Sequence, residues 1–417
     1  MTQQNQMMRK RKKLLVNKIL SIITSFLGYN YYKLYNFNTG NPNPRLVAKS
    51  NTFTVPLPFS TDIPDNDKQN LIETFQTTQK TRKAIIIVAF HRSGSSFTGE
   101  LLNIHPDVFY SYEPLKLVNN GCGNIKKEER LKLMQDMINC EIPDISSDPE
   151  KYLQNPEFKN DENFYNETIN SNFMFRTKSK RLCSGEFCDN QDFSNDSKKC
   201  RYSCPKIDIE RARHVCSQKS VGIKVIRLCE MKLIEELILS MPHVDFRIVL
   251  LNRDPRGIIS SRKKIFKEKL TQNQLVNNVK WTCNYMLSRY SSIFRNSWLQ
   301  DFIFIARYEK ISQNPIFASR NFYQFVGLQQ YEEIEYQIKN MSQANSDDSY
   351  STSKNSKRIW QNWRIDLDFE LVQNVQIVCG DAMKTLGYKH LENEQDLKNF
   401  DIDLVQDISL EGVCKNC

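Results

Sequence analysis

Several absences narrow the function of this chain before any motif is read. No repeat of solenoid length runs through its 417 residues, which excludes a stacked-repeat scaffold. No basic stripe with interleaved aromatic residues is present, as a nucleic-acid groove would require. The formal net charge is +10, but five of the positive charges sit together in Arg9-Lys-Arg-Lys-Lys13. The modest excess left over suits an anionic ligand. One absence is local. Gly94-Ser-Ser-Phe-Thr-Gly99 has the glycine spacing of an NTPase phosphate loop, yet Glu100-Leu101 follows where Lys-Ser/Thr is needed. An acid there repels phosphates and a leucine holds no Mg²⁺, which weighs against a Mg-NTP enzyme.

What is present centres on Lys83-Ala-Ile-Ile-Ile-Val-Ala-Phe-His-Arg-Ser-Gly-Ser-Ser-Phe-Thr-Gly-Glu-Leu-Leu102. Ala84 to Phe90 is an unbroken apolar run rich in β-branched residues, which predicts a parallel strand covered on both faces. After Arg92, the residues Ser93, Gly94, Ser95 and Ser96 are small enough for backbone N–H groups to close on an anion. Ser95 or Ser96 can cap the helix that continues through Phe97 and Thr98. A strand that turns into a helix N-terminus makes an anion site, because orphan N–H groups and the helix dipole both favour negative charge.

A second strand–turn–helix supplies a partner. Val244 to Leu251 is apolar, and Asn252-Arg-Asp-Pro-Arg-Gly-Ile-Ile-Ser-Ser-Arg262 follows directly. Pro255 suits a first helical turn, with Asp254 as its N-cap. Arg253 falls at the strand's carboxyl end, where open α/β sheets bind ligands. Ser261 comes eight residues later, a little over two helical turns, and can face the same side. A guanidinium and a hydroxyl converging there would grip a terminal phosphate. The plainer reading of Arg253-Asp254 is a surface ion pair.

These two segments carry a resemblance. His91-Arg-Ser-Gly-Ser-Ser-Phe-Thr-Gly-Glu-Leu-Leu102 resembles the 5′-phosphosulfate loop of the Golgi carbohydrate sulfotransferases. Within them it is most similar to the galactose/N-acetylgalactosamine/N-acetylglucosamine 6-O-sulfotransferase group. Arg253 to Arg262 resembles their 3′-phosphate segment, and the similarity continues through Tyr112-Glu-Pro-Leu115, Lys224-Val-Ile-Arg227, Arg307-Tyr-Glu309 and Leu386-Gly-Tyr388. It covers roughly residues 82–390, with a poorly matched insert in the middle. Ala89-Phe90-His91 departs from the family, which often has threonine or tryptophan before the arginine.

The resemblance implies an α/β fold: a three-layer sandwich with a central parallel sheet, the P-loop-like sulfotransferase fold. It implies in-line transfer of a sulfuryl group from 3′-phosphoadenosine-5′-phosphosulfate (PAPS) to the 6-hydroxyl of Gal, GalNAc or GlcNAc on a glycan or glycosaminoglycan. Arg92 and the N–H groups of Ser93, Gly94, Ser95, Ser96, Phe97 and Thr98 would hold the 5′-phosphosulfate. Arg253 and Ser261 would read the 3′-phosphate. Glu113 ends the expected strand from Val108 and matches, by position, the proton acceptor of related enzymes. Its alternative role is to pair with Arg92 or Lys224 and shape the site. His105 is a second candidate base, though before Pro106 it reads as a helix end. No metal-ligand set appears, and a sulfuryl group carries less charge than a phosphoryl group, so no metal is expected.

Residues 1–13 read as a cytoplasmic tail and 14–32 as a transmembrane signal anchor oriented by the basic cluster. The span is short and includes Asn17 and Lys18, so a cleaved signal or a surface helix stays open. Residues 33–80, rich in Asn, Pro, Thr and Gln, read as a stem. A sulfotransferase domain over 81–395 and a tail over 396–417 complete the chain, which is placed as a single-pass type II protein of the Golgi membrane with its catalytic domain in the lumen. An insert over 121–216 holds Cys122, Cys140, Cys183, Cys188, Cys200, Cys204 and Cys216. Cys183-x₄-Cys188 and Cys200-x₃-Cys204 suit zinc, but an oxidising lumen favours disulfides of unassigned pairing. Asn166, Asn195 and Asn340 each begin a glycosylation sequon.

Further strands are expected at Gly222–Arg227 and Phe302–Ala306, with helices over 272–294 and from Phe369 to Leu386. Lys224 and Arg227 either face the cleft or snorkel from an edge. Trp360 and Trp363 either stack on a sugar or adenine or pack in the core. Two rival functions remain at this point: a catalytically inactive lumenal glycan-binding protein and a P-loop nucleotide kinase.

Overall fold

A computed structural model describes residues 65–118, 127–153, 162–266, 271–343 and 359–408. The anchor expected over 14–32, the first part of the stem and Cys122 lie outside them. Five strands form one sheet: β1 Arg82–Val88, β2 Val108–Tyr112, β3 Ser220–Val225, β4 Val244–Asn252 and β5 Ile303–Arg307. Their order is β2-β3-β1-β4-β5, and every pairing is parallel. β1 occupies the centre, with Ile86 paired to Ile223 on one side and to Ile248 on the other. All three side chains are buried, as the unbroken apolar runs require of strands covered on both faces.

The principal helices are α1 Ser95–Asn103, α2 Lys127–Ile138, α3 Lys232–Ser240, α4 Pro255–Phe266, α5 Gln272–Arg295, α6 Pro315–Val326 and α7 Phe369–Thr385. The connection from β1 to β2 passes over β3, whereas those from β3 to β4 and from β4 to β5 run the opposite way. Right-handed crossovers therefore place α1 on one face of the sheet and α3, α4 and α5 on the other. Three layers result, as expected. At the start of α5, Thr271 and Gln274 form a capping box. A disulfide between Cys283 and Cys379 ties α5 to α7.

Two boundaries differ from expectation. The stem does not extend to residue 80: a helix forms over Asp65–Thr77, and Phe75 buries its ring edge-on against Phe302, 5.2 Å between centroids. At the other end, the segment expected to be a tail packs through Leu397, Leu404 and Val405, and Val405 bridges Tyr388. Arg364 holds the carbonyls of Asp396 and Leu397.

The insert closes with Cys140–Cys216, Cys183–Cys200 and Cys188–Cys204. The two close-spaced cysteine pairs are thus cross-linked to each other rather than gathered on zinc. Among the described residues, no helix is long and apolar enough to cross a membrane.

Cys283→Ser should lower the unfolding free energy by about 2–4 kcal/mol, since the bridge restrains a long loop in the unfolded chain. Urea denaturation measures this; an unchanged midpoint would mean that α5–α7 packing alone sets the stability.

Candidate functional site

The loop leaving β1 is shaped by its own hydroxyls. Ser93 Oγ donates to the Phe90 carbonyl at 2.8 Å, and Ser93 N–H reaches the same oxygen at 3.2 Å. Thr98 likewise spends its hydroxyl (3.3 Å) and N–H (3.1 Å) on the Gly94 carbonyl. Ser93 and Thr98, both expected to offer N–H groups to a ligand, instead fix the turn. The helix start is not capped by Ser95 or Ser96 either. Gly94 is the N-cap, with φ 87° and no side-chain bond. Among the described residues, no backbone acceptor is found for the N–H groups of Gly94, Ser95, Ser96 and Phe97, as the first turn of a helix predicts. Of the N–H groups expected to face a ligand, these four stay open and those of Ser93 and Thr98 do not.

Gly94 is required twice over. Its φ is left-handed, and a methyl there would sit 2.1 Å from the Tyr308 ring. Tyr308 follows β5 directly and carries the guanidinium of Arg253, 4.6 Å from its ring centre. Neither partnership was singled out in the sequence; the signal available was a residue at the carboxyl tip of a strand.

Arg253 projects from the end of β4 and donates Nη1 to the Arg92 carbonyl at 2.9 Å. Arg92 donates Nε to Ser261 Oγ, also at 2.9 Å. Arg92, Arg253 and Ser261, expected at two neighbouring anion sites, are therefore linked directly. Arg262 adds a bond from Nη2 to the His91 carbonyl at 3.1 Å. Gly257 of α4 lets Arg253 lie close, since a methyl there would meet its Nε at 3.0 Å.

Arg253-Asp254 is not a surface ion pair. Asp254 caps α4 through Arg256 N–H at 2.9 Å and pairs with the Arg256 guanidinium at 2.7 Å, both side chains buried. The Asp254 N–H donates to Glu309 Oε1, and the Tyr388 hydroxyl donates to Glu309 Oε2, each at 2.9 Å. Burial, then the nearby Asp254 charge, pushes the Glu309 carboxyl above its usual range. Arg256 lies over Trp363, 4.4 Å from its ring centre, and Trp360 is buried as well, so both tryptophans pack. The segments around Arg307-Tyr-Glu309 and Leu386-Gly-Tyr388 thus act as the footing of the Arg253 turn.

Glu113 takes the second of its two expected roles in geometry, with different partners. It is ion-paired to Lys224 and, at 2.6 Å, to Arg227 rather than to Arg92. Lys224 is 1% exposed on β3, an inner strand, so it does not snorkel from an edge. Burial alone would raise the Glu113 carboxyl, but Lys224 and Arg227 outweigh it and hold the pKa at about 2. Tyr112 lies beneath the Lys224 ammonium, 4.0 Å from its ring centre, and meets Phe175 of the insert edge-on. The insert therefore reaches the same strand tip.

His105 is structural. Its Nδ1 accepts from Asp107 N–H at 3.1 Å, which leaves Nε2 to donate to the Gln329 carbonyl at 2.8 Å. It precedes β2 at the amino end of the parallel strands, whereas the loop leaves the carboxyl end of β1. His91 is held neutral by burial, with Arg262, Arg92 and Arg227 adding to the effect.

Comparison with known proteins matches residues 84–333 to the family described as Sulfotransferase family. Carbohydrate sulfotransferase 1 of Mus musculus is 29% identical over 366 residues, covering 80% of this chain and 86% of that protein. Carbohydrate sulfotransferase 3 of Rattus norvegicus is 28% identical over 361 residues, covering 78% and 72%. The crystal structure of sulfotransferase STF9 from Mycobacterium avium aligns over 78% of this chain and 81% of that one, with 13% identity and a TM-score of 0.36.

Gly94→Ala should cost more than about 2 kcal/mol, because the left-handed backbone and the Tyr308 ring both reject a methyl. Urea unfolding measures the loss. Gly257→Ala, which meets only the end of a flexible side chain, should cost less.

Proposed function

The chain belongs to the sulfotransferase family, and from this we propose that it transfers a sulfuryl group from PAPS to a sugar hydroxyl, the 6-hydroxyl of Gal, GalNAc or GlcNAc. The observation that carries the donor assignment is the direct link between two arginine-bearing strand tips, Arg92 and Arg253, beside the free N–H groups of α1. Arg253 Nε is buried without a partner, which fits a site completed by an anionic ligand. The sugar assignment rests on the carbohydrate sulfotransferases that this chain resembles.

Arg92 and the N–H groups of Gly94, Ser95, Ser96 and Phe97 would hold the 5′-phosphosulfate. Arg253 and Ser261 would hold the 3′-phosphate. When bound, PAPS supplies the sulfuryl group and its phosphate leaving group. Fixed cations at both strand tips then meet charge as it develops, without reorganising. Arg92 and Arg253 supply that neutralisation in place of a metal.

Glu113 is the proposed proton acceptor at the sugar hydroxyl. Its two ion pairs keep it ionised but weakly basic, so it takes a proton only as Lys224 or Arg227 turns toward the developing negative charge. A purely structural Glu113 is the second reading, and those same ion pairs favour it. A Golgi lumenal setting completes the proposal, with residues 14–32 as anchor. The sequon asparagines Asn166, Asn195 and Asn340 are exposed, which suits that setting.

Adenosine 3′,5′-bisphosphate should raise the Tm more than adenosine monophosphate does. Arg253→Ala should erase that difference and abolish transfer of radiolabelled sulfate to Gal-, GalNAc- and GlcNAc-terminated acceptors. A glycan-binding protein without activity would keep its glycan affinity in this variant.

Glu113→Gln separates the two readings of that residue. A proton acceptor predicts a kcat loss of about 10²–10⁴-fold with nucleotide binding intact. A strut predicts a lower Tm and weaker nucleotide binding as well. With the pKa lowered from 4.5 to about 2, the stability Glu113 contributes is present above about pH 4.5 and fades as pH falls toward 2. Acid unfolding of the Gln variant should lack that component.

A further inference from the structure

One stripe of α5 is left over once the nucleotide and proton acceptor are assigned. Trp281, Tyr285 and Arg289 recur every four residues and so share one face of the helix. Tyr285 meets Phe90 edge-on and leans against Trp281, with ring centres 5.5 Å apart in each case. The Arg289 guanidinium lies over both Phe90 (3.9 Å) and Tyr285 (4.4 Å) and donates to the Ala89 carbonyl at 3.2 Å. The stripe borders the anion loop, because Arg262 joins the His91 carbonyl to the Thr282 hydroxyl, each at 3.1 Å.

Two features exceed what packing alone requires. Trp281, at the outer end, is 40% exposed. Arg289, at the inner end, is 1% exposed and interacts with the Tyr285 hydroxyl, yet its Nε and Nη1 and that hydroxyl lack a hydrogen bond of good geometry. Buried donors are costly to leave unmade and persist where a ligand or ordered water completes them. A flat indole beside unspent donors is the composition of a sugar site, since a pyranose presents a C–H face and a rim of oxygens.

We propose that Trp281 and Tyr285 form the platform on which the acceptor's pyranose ring stacks, with the Tyr285 hydroxyl and the Arg289 guanidinium donating to its oxygens. This rests on the sulfotransferase function proposed above, and it brings the acceptor to the loop from the α5 flank. The Arg289 donors lie behind the half-buried ring of Tyr285 and are reached as that ring yields, a rotamer change common on binding.

Steady-state kinetics of Trp281→Ala test the platform. The acceptor KM should rise roughly three- to tenfold, while the donor KM and the Tm stay unchanged. Trp281→Phe should restore most of the loss, and Tyr285→Phe should raise the acceptor KM without altering donor binding. An unchanged acceptor KM in Trp281→Ala, or equal rises in both KM values, overturns the proposal. If the wild-type enzyme sulfates no glycan, the proposed function itself fails; if it does and Trp281→Ala is silent, only the platform fails.

Discussion

Three carbonyl groups where the chain leaves β1 are each taken by a guanidinium: Arg289 on Ala89, Arg262 on His91 and Arg253 on Arg92. Hydrogen bonds from charged donors to desolvated carbonyls are among the stronger neutral-acceptor bonds available. With those oxygens committed to α4, α5 and the tip of β4, the loop is held open toward the N-terminus of α1. The same contacts gather positive charge at one end of the sheet. Burial pushes Arg262 down to about 10 and lowers Arg289 as well. Arg262 therefore remains a cation at neutral pH.

The cations need anchorage of their own, and a second tier of polar contacts provides it. Asp254 orients Arg256, Glu309 receives the Asp254 N–H, and Tyr388 completes Glu309. Arg256 reaches Gln376 on α7 at 2.9 Å. The C-terminal third of the chain thus helps to hold the Arg253 turn. On the far side, Glu113 balances Lys224 and Arg227. Without that carboxylate the two cations would face each other in a buried space, where an unpaired charge is costly.

Much of this was legible in the sequence, for identifiable reasons. A strand buried on both faces leaves an unbroken apolar run, so all five strands could be recognised. That Arg92, Arg253 and Ser261 lie together was legible because strand tips and helical spacing fix where a side chain points. The directions of hydroxyls were not legible. Ser93 and Thr98 turn inward because the loop's own carbonyls need donors, a demand set by tertiary geometry. Nor did the spacing of Cys183, Cys188, Cys200 and Cys204 reveal which sulfurs meet. The partners of Glu113 depend on the register that sets Tyr112 beside Lys224, and Arg227 lies beyond the end of that strand. The helix over 65–77 escaped notice because its one deeply buried aromatic, Phe75, makes no period.

The contact between Gly94 and Tyr308 has an uneven consequence for how this site could drift. A smaller side chain at 308 would relieve the crowding at 94 but leave the left-handed backbone there, so glycine would still be favoured. The reverse order is closed: no change at 308 lets an ordinary residue at 94 adopt that conformation without strain. Position 308 can therefore change first, at the cost of its contact with Arg253, and 94 follows only if the loop itself is rebuilt. In mutational terms the pair works as a one-way valve.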